Sequence, residues 1–246
     1  MLEAIAQSDK HVHRSRVWIE SLTLSLSIPA AILILQFAAQ KLESAWSATI
    51  IQRYCLSVTA LCGGEWLVMA AFLVWWKPTR ARMAEVGFAR AGTISAWFVA
   101  LGITFLSVLN GVNLLRRFGI PISNLWLLSG YHIYAALLMG STAAFCEETI
   151  FRGFLMTEYA KAGYGKASQV VIPGLFFGVA HLAILEHGVA AGLGTIIPTA
   201  IMGMIWGVAF LLGRRSVLPT VVAHFINDAT VLPWILFFSI THAAHH

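Results

Sequence analysis

The sequence predicts an all-α fold, a polytopic membrane helix bundle of about seven transmembrane helices, on three observations. The first is charge. Of 246 residues, 16 are Lys or Arg and 11 are Asp or Glu, so charged residues make up 11% of the chain against 59% hydrophobic ones. A soluble domain gives about a quarter of its residues to those four types, and so few charges do not clothe a water-facing surface of this size. The mean hydropathy of +0.78 agrees. Second, apolar runs close to the roughly 20 residues needed to cross a hydrocarbon core recur seven times. Third, these runs lack the period-2 alternation of barrel strands, and backbone amides in lipid must be satisfied within the segment, so each run is predicted as a helix.

Leu22 to Ala39 follows a basic segment, but its apolar stretch exceeds the roughly 7–15 residues of a signal-peptide core, so it is read as a retained span. Cys55 to Trp76 contains Gly63-Gly64-Glu65, and Ile94 to Leu115 contains Asn110 and Asn113. Leu125 to Phe145 runs directly into Glu147-Glu148. Ala167 to Leu185 carries Pro173 and His181, and the short polar gap after it leaves room for a re-entrant segment. Val189 to Leu212 holds Pro198 and Gly203-Met-Ile-Trp-Gly207, a GxxxG spacing read as close helix packing. The two prolines are read as kinks that open a groove between helices. Val217 to Ile240 carries His224 and Asp228. With no linker, repeat or soluble appendage, residues 1–246 are read as one membrane domain. Cys55, Cys62 and Cys146 have no pairing or metal spacing and are read as packing residues, while His242, His245 and His246 are read as a solvated tail.

Lys and Arg placement sets an orientation and explains the basic pI of about 9.4. With the N-terminus cytoplasmic, Lys10, Arg14 and Arg16, then Lys77, Arg80, Arg82 and Arg90, then Arg152, Lys161 and Lys166, then Arg214 and Arg215 fall inside. Only Lys41, Arg53, Arg116 and Arg117 fall outside, the asymmetry of the positive-inside rule. The basic balance therefore reads as topology in a cell membrane, with the lipid bilayer as partner and no nucleic acid.

Ionisable groups inside apolar runs are costly, so each needs a role or a partner. In Glu147-Glu148-x-x-x-Arg152, Glu148 and Arg152 are i,i+4 neighbours that pair on one face, whereas Glu147 points about 100° away. Glu148 then braces the helix, and Glu147 is free to hold a water and act as a base. Two interfacial glutamates on a solvated helix end are the plain alternative. His181 shares a face with Phe177 and reads either as a packing histidine or as a ligand. His224 and Asp228, also i,i+4, can hold a metal, orient an imidazole or stabilise an oxyanion, or else form an internal pair sealing the bundle. Glu65 either lines a polar cavity or accepts bonds from a neighbouring helix, and the structural reading is preferred. His132 and His187 fall near the opposite face from Glu147.

These three motifs, in this order on late apolar runs, resemble the CPBP intramembrane protease family, which covers the type II CAAX prenyl endopeptidases, the bacteriocin-processing enzymes and the related Abi proteins. The resemblance spans about Gly140 to Trp234, the motif-bearing core 140–234. It implies a membrane endopeptidase with a cavity open toward the cytoplasm and a peptide or membrane-protein substrate. In that reading Glu147 is the general base, Glu148 with Arg152 supports it, His181 orients the water, and His224 with Asp228 stabilises the oxyanion. The family often has Asn at the last position. Here Asp228 follows Asn227, and an ionised Asp228 would repel an oxyanion, so it is protonated, binds a metal, or leaves the role to His224.

His181, His224 and Asp228 are also donor types that zinc takes, and zinc lowers the pKa of its water to about 7; a metal-free scheme uses the same residues. Two other functions compete. One is a non-proteolytic scaffold or bacteriocin-immunity protein of the same fold. The other is a small transporter or proton-coupled carrier with Glu65, Asp228 and the histidines as a relay, which has no clear inverted repeat behind it.

Overall fold

The computed structural model describes residues 2–117 and 129–243. Among these, every regular element is helical. Six helices are long and apolar enough to cross a membrane, and the chain is a multi-pass membrane protein. The predicted run from Leu125 begins outside the described residues. Its described part is α5 (Gly130–Glu147).

The first half of the chain is regular. Helix α1 (Leu2–Trp46) is 45 residues long, about 67 Å at 1.5 Å per residue, and so extends well past one bilayer crossing. Helix α2 (Ile50–Trp76) opens on a capping box, with Thr49 Oγ1 accepting from the Gln52 amide and Gln52 Oε1 accepting from the Thr49 amide. A short α3 (Arg80–Glu85), capped by Thr79, leads to α4 (Ile94–Arg117). The outer faces of these helices carry Val74, Phe98 and Phe105, each more than 60% exposed, which is the surface a helix presents to lipid.

The second half is interrupted. Helix α5 passes without a break into a π-helical segment, Glu148–Leu155, and then into α6 (Met156–Lys161). The fifth predicted run is α7 (Lys166–Val179) followed by a 3-10 turn over Leu182–His187. Helix α8 (Val189–Leu212) is continuous through Pro198. The last run divides into α9 (Leu218–Thr230) and α10 (Leu232–Ala243) just before Pro233, whose ring cannot donate the next helical hydrogen bond.

The connections sort to two ends. At one end Arg90 donates to the Arg214 carbonyl at 2.7 Å, Ser216 Oγ donates to the Arg90 carbonyl, Lys161 pairs with Glu85 at 2.7 Å, and Arg14 donates to the Ala162 carbonyl at 3.2 Å. Arg14, Arg90, Lys161 and Arg214, which counting puts on one side, thus lie at one end. At the other end Tyr54 Oη donates to the Pro233 carbonyl, and His132, hydrogen-bonded to Ser129, stacks on Trp234. Helix α5 lies between α2 and α9. It approaches α9 closely at Gly140, where a Cβ would sit 3.0 Å from the Phe225 carbonyl oxygen. That approach brings the start of the π segment against His224.

Candidate active site

The site forms where the helices depart from α geometry. In the π segment the hydrogen-bond register is i→i+5, a form that occurs mostly as short insertions in α-helices and often at functional sites. All eight of its residues are buried, Glu148 and Arg152 among them. The motif is therefore π, not the α register that the 100° offset of Glu147 assumes. The Glu148–Arg152 pair nevertheless forms as the i,i+4 spacing predicts, with Arg152 Nη1 donating to Glu148 Oε1 at 2.8 Å.

The same carboxylate oxygen takes a second partner from α9. His224 Nδ1 lies 2.9 Å from Glu148 Oε1. A carboxylate held by a guanidinium only accepts, so Nδ1 carries the proton and the ring orientation is fixed. The opposite edge of the imidazole, Nε2, faces Asp228 Oδ2 at 3.4 Å and Glu147 Oε2 at 3.8 Å. Asp228 in turn accepts from Asn227 Nδ2 at 2.8 Å. The two Asp228 oxygens thus turn to Asn227 and His224, its neighbours on α9.

His181 comes from the end of α7, and the helix break sets it. Its backbone amide bonds Gly178 in a 3-10 turn, so the Phe177 carbonyl, which an α-helix would pair with that amide, accepts instead from His181 Nδ1 at 2.9 Å. The carbonyl can only accept, which leaves Nε2 of the half-buried ring as the free acceptor. His181 meets Glu147 and Asp228 through longer-range electrostatic interaction.

Aromatic side chains enclose the polar groups. The Arg152 guanidinium lies over the Phe177 ring at 4.2 Å and donates to the Gly203 carbonyl at 3.2 Å. Gly203 permits this: a Cβ there would come within 2.9 Å of Phe177. Trp206, fully buried, lies 4.6 Å from the His224 ring. The packing reading of Gly203-x-x-x-Gly207 therefore holds, and the same helix face also supplies an acceptor to Arg152. Trp206 and Thr220, the latter one turn before His224 and against Glu148, were not singled out by sequence reasoning. Their signal was spacing alone, three residues after Gly203 and four before His224. His132 lies at the far end, as the sequence reading places it.

Glu147 Oε2, Glu148 Oε2 and Trp206 Nε1 are buried without a hydrogen-bond partner. Such atoms are few in folded proteins and mark a place for water or ligand. A metal fits the set less well. Among the described residues no group of three or more His, Cys, Asp or Glu side chains is arranged to hold an ion.

Residues 129–230 match the family model of Rce1-like type II CAAX prenyl endopeptidases. No curated protein matches the chain. The Rce1-like segment runs from just before α5 to the last residue of α9 and contains Glu147, Glu148, Arg152, His181, His224 and Asp228. It agrees with the family that the three motifs resemble. Helices α1, α2 and α4 lie outside it.

Proposed function

We propose that the protein is an intramembrane endopeptidase that hydrolyses a peptide bond with a water activated by Glu147. The observation that carries this reading is the buried, unpartnered Oε2 of Glu147, 3.8 Å from His224 Nε2 and inside an Rce1-like segment. Glu147 takes a proton from water, and the hydroxide adds to the scissile carbonyl. His181 Nε2 accepts the second water hydrogen and so aims the lone pair. His224, doubly protonated and held by Glu148 through Nδ1, donates from Nε2 to the developing oxyanion. Collapse of the tetrahedral intermediate breaks the C–N bond, and the proton held by Glu147 passes to the departing amine. Arg152 neutralises Glu148, and Asp228 keeps the Nε2 edge of His224 polar until substrate arrives.

No step in this scheme passes through a metal. Zinc held by His181, His224 and Asp228 would supply Lewis-acid activation of the water, but the donors as placed do not converge. Turnover is therefore expected to survive dialysis against a chelator, measured alongside metal content.

The rest of the reading follows the charge pattern. We place the chain in the cell membrane as one domain, 1–246, with its catalytic core at 140–234, its N-terminus in the cytoplasm and its cavity open to that side. Its partners are the bilayer and a peptide or membrane-protein substrate.

The test is purified protein in proteoliposomes with a farnesylated CAAX peptide and, separately, a membrane-anchored peptide, with products identified by mass spectrometry. Cleavage by the wild type and none by Glu147→Ala is the expected result. A biological function that survives loss of both Glu147 and His181 would favour the scaffold or immunity-protein reading.

A further inference from the structure

Helix α2 lies outside the Rce1-like segment, yet it delivers an acidic side chain to the site. Glu65 is 5% exposed, and its Oε2 is buried with no hydrogen-bond partner. The groups with which it interacts electrostatically are, in order of strength, Glu147, Asp228 and His224. Its next neighbour anchors the register: Trp66 Nε1 donates to Thr142 Oγ1 at 3.0 Å, and the Trp66 ring stacks on Phe145 at 5.7 Å. Thr142 and Phe145 are the α5 residues that lead into Glu147, so α2 is fixed to the very turn that presents the proposed base. The two thiols alongside report the same proximity. Cys62, one turn before Glu65, and Cys146, next to Glu147, both interact electrostatically with Glu65.

A structural acid in a bilayer is expected on a donor, an arginine or a backbone amide. Glu65 instead interacts electrostatically with two other acids and one histidine, and a buried polar atom left without a partner is costly. The structural reading preferred from sequence does not account for that. What Glu65 and Glu147 have in common is a buried carboxyl oxygen without a protein partner, and one water with its two hydrogens satisfies both.

We propose that Glu65 is a positioning residue of the hydrolytic centre, holding the Glu147 carboxyl in register for catalysis through a water bridge between the two buried carboxyls. This rests on the endopeptidase reading above. No bond forms or breaks at Glu65. It acts through Glu147, so its loss lowers turnover and leaves substrate binding in place.

The experiment compares wild type with Glu65→Leu, Glu65→Gln, Glu147→Gln, Glu147→Leu and the Glu65→Leu/Glu147→Leu double variant, whose leucines remove the bridge. Turnover of the farnesylated CAAX peptide and thermal melting in detergent are measured for each. The expected result for Glu65→Leu is a fall in kcat of about tenfold or more with KM within about twofold, and recovery toward wild type in Glu65→Gln, whose amide still donates and accepts. Wild-type kcat in Glu65→Leu, with Glu147→Gln inactive, overturns the proposal and leaves the endopeptidase reading intact. If the wild type cleaves nothing, the endopeptidase reading fails and the melting cycle decides the coupling alone. A double-variant Tm shift that departs from the sum of the single shifts supports the bridge between the carboxyls. An additive cycle overturns it.

Discussion

Helices α1, α2, α4 and α8 are continuous, whereas the elements that carry the three motifs all depart from α geometry near their functional residues. The π segment starts at Glu148, α7 gives way to a 3-10 turn at His181, and α9 ends two residues after Asp228. The continuous helices turn large apolar side chains outward, while the π segment is buried over its whole length. The difference shows how a membrane bundle frees polar groups for chemistry. In a regular helix every backbone carbonyl within the span is taken. At an interruption one is released, and at Phe177 the released carbonyl fixes the tautomer of His181.

The comparison predicts where substitutions hurt most. The largest effect on stability falls on Arg152→Ala, which strands Glu148 as an uncompensated buried charge. Breaking a buried pair costs about 3–5 kcal/mol, so thermal melting in detergent is expected to drop steeply, or the protein to be lost from the membrane fraction. A near-normal melt would mean that the π segment is not held by this pair. His181→Ala removes no buried ion pair, and its melt is expected to stay near wild type while turnover of the farnesylated peptide falls about 10²-fold, the lower end for a group assisting proton transfer. The smallest effect separates two glycines of one regular helix. Gly203→Ala places a Cβ 2.9 Å from Phe177 and is expected to cost about 1–3 kcal/mol by overpacking. Gly194→Ala meets nothing within 4 Å and should be neutral or stabilising in the same melt. Equal shifts for the two would remove the contact between α8 and α7 from the explanation.

Parts of this were legible in the sequence because they are local or compositional. Scarce charge announced a membrane protein, and i,i+4 spacing paired Glu148 with Arg152 and set His224 beside Asp228. The contact that orients His224 was not legible. Glu148 and His224 are 76 residues apart and meet only because α5 packs on α9, which no periodicity encodes. The π register was hidden for a related reason: nothing in Glu-Thr-Ile-Phe-Arg-Gly-Phe-Leu separates an i→i+4 from an i→i+5 ladder, and the choice is made by the partners around it. Glu65 was seen and set aside, since a lone acid in an apolar run has no local feature that says which helix it faces. The fourth predicted span, Leu125 to Phe145, begins outside the described residues, so α5, its described part, stands beside the six crossing helices counted among them.

The most direct test is a paired measurement on Glu147→Gln, taking melting temperature and turnover from one preparation. Glu148 is tied to Arg152 at 2.8 Å, whereas Glu147 has only the His224 ring, at 3.8 Å, and its Oε2 is buried without a hydrogen-bond partner. An amide there should leave the melt at or above wild type while turnover falls by about 10²–10⁴-fold. Turnover that persists, or that falls only in proportion to a lost melt, would contradict Glu147 as the base and the endopeptidase reading built on it.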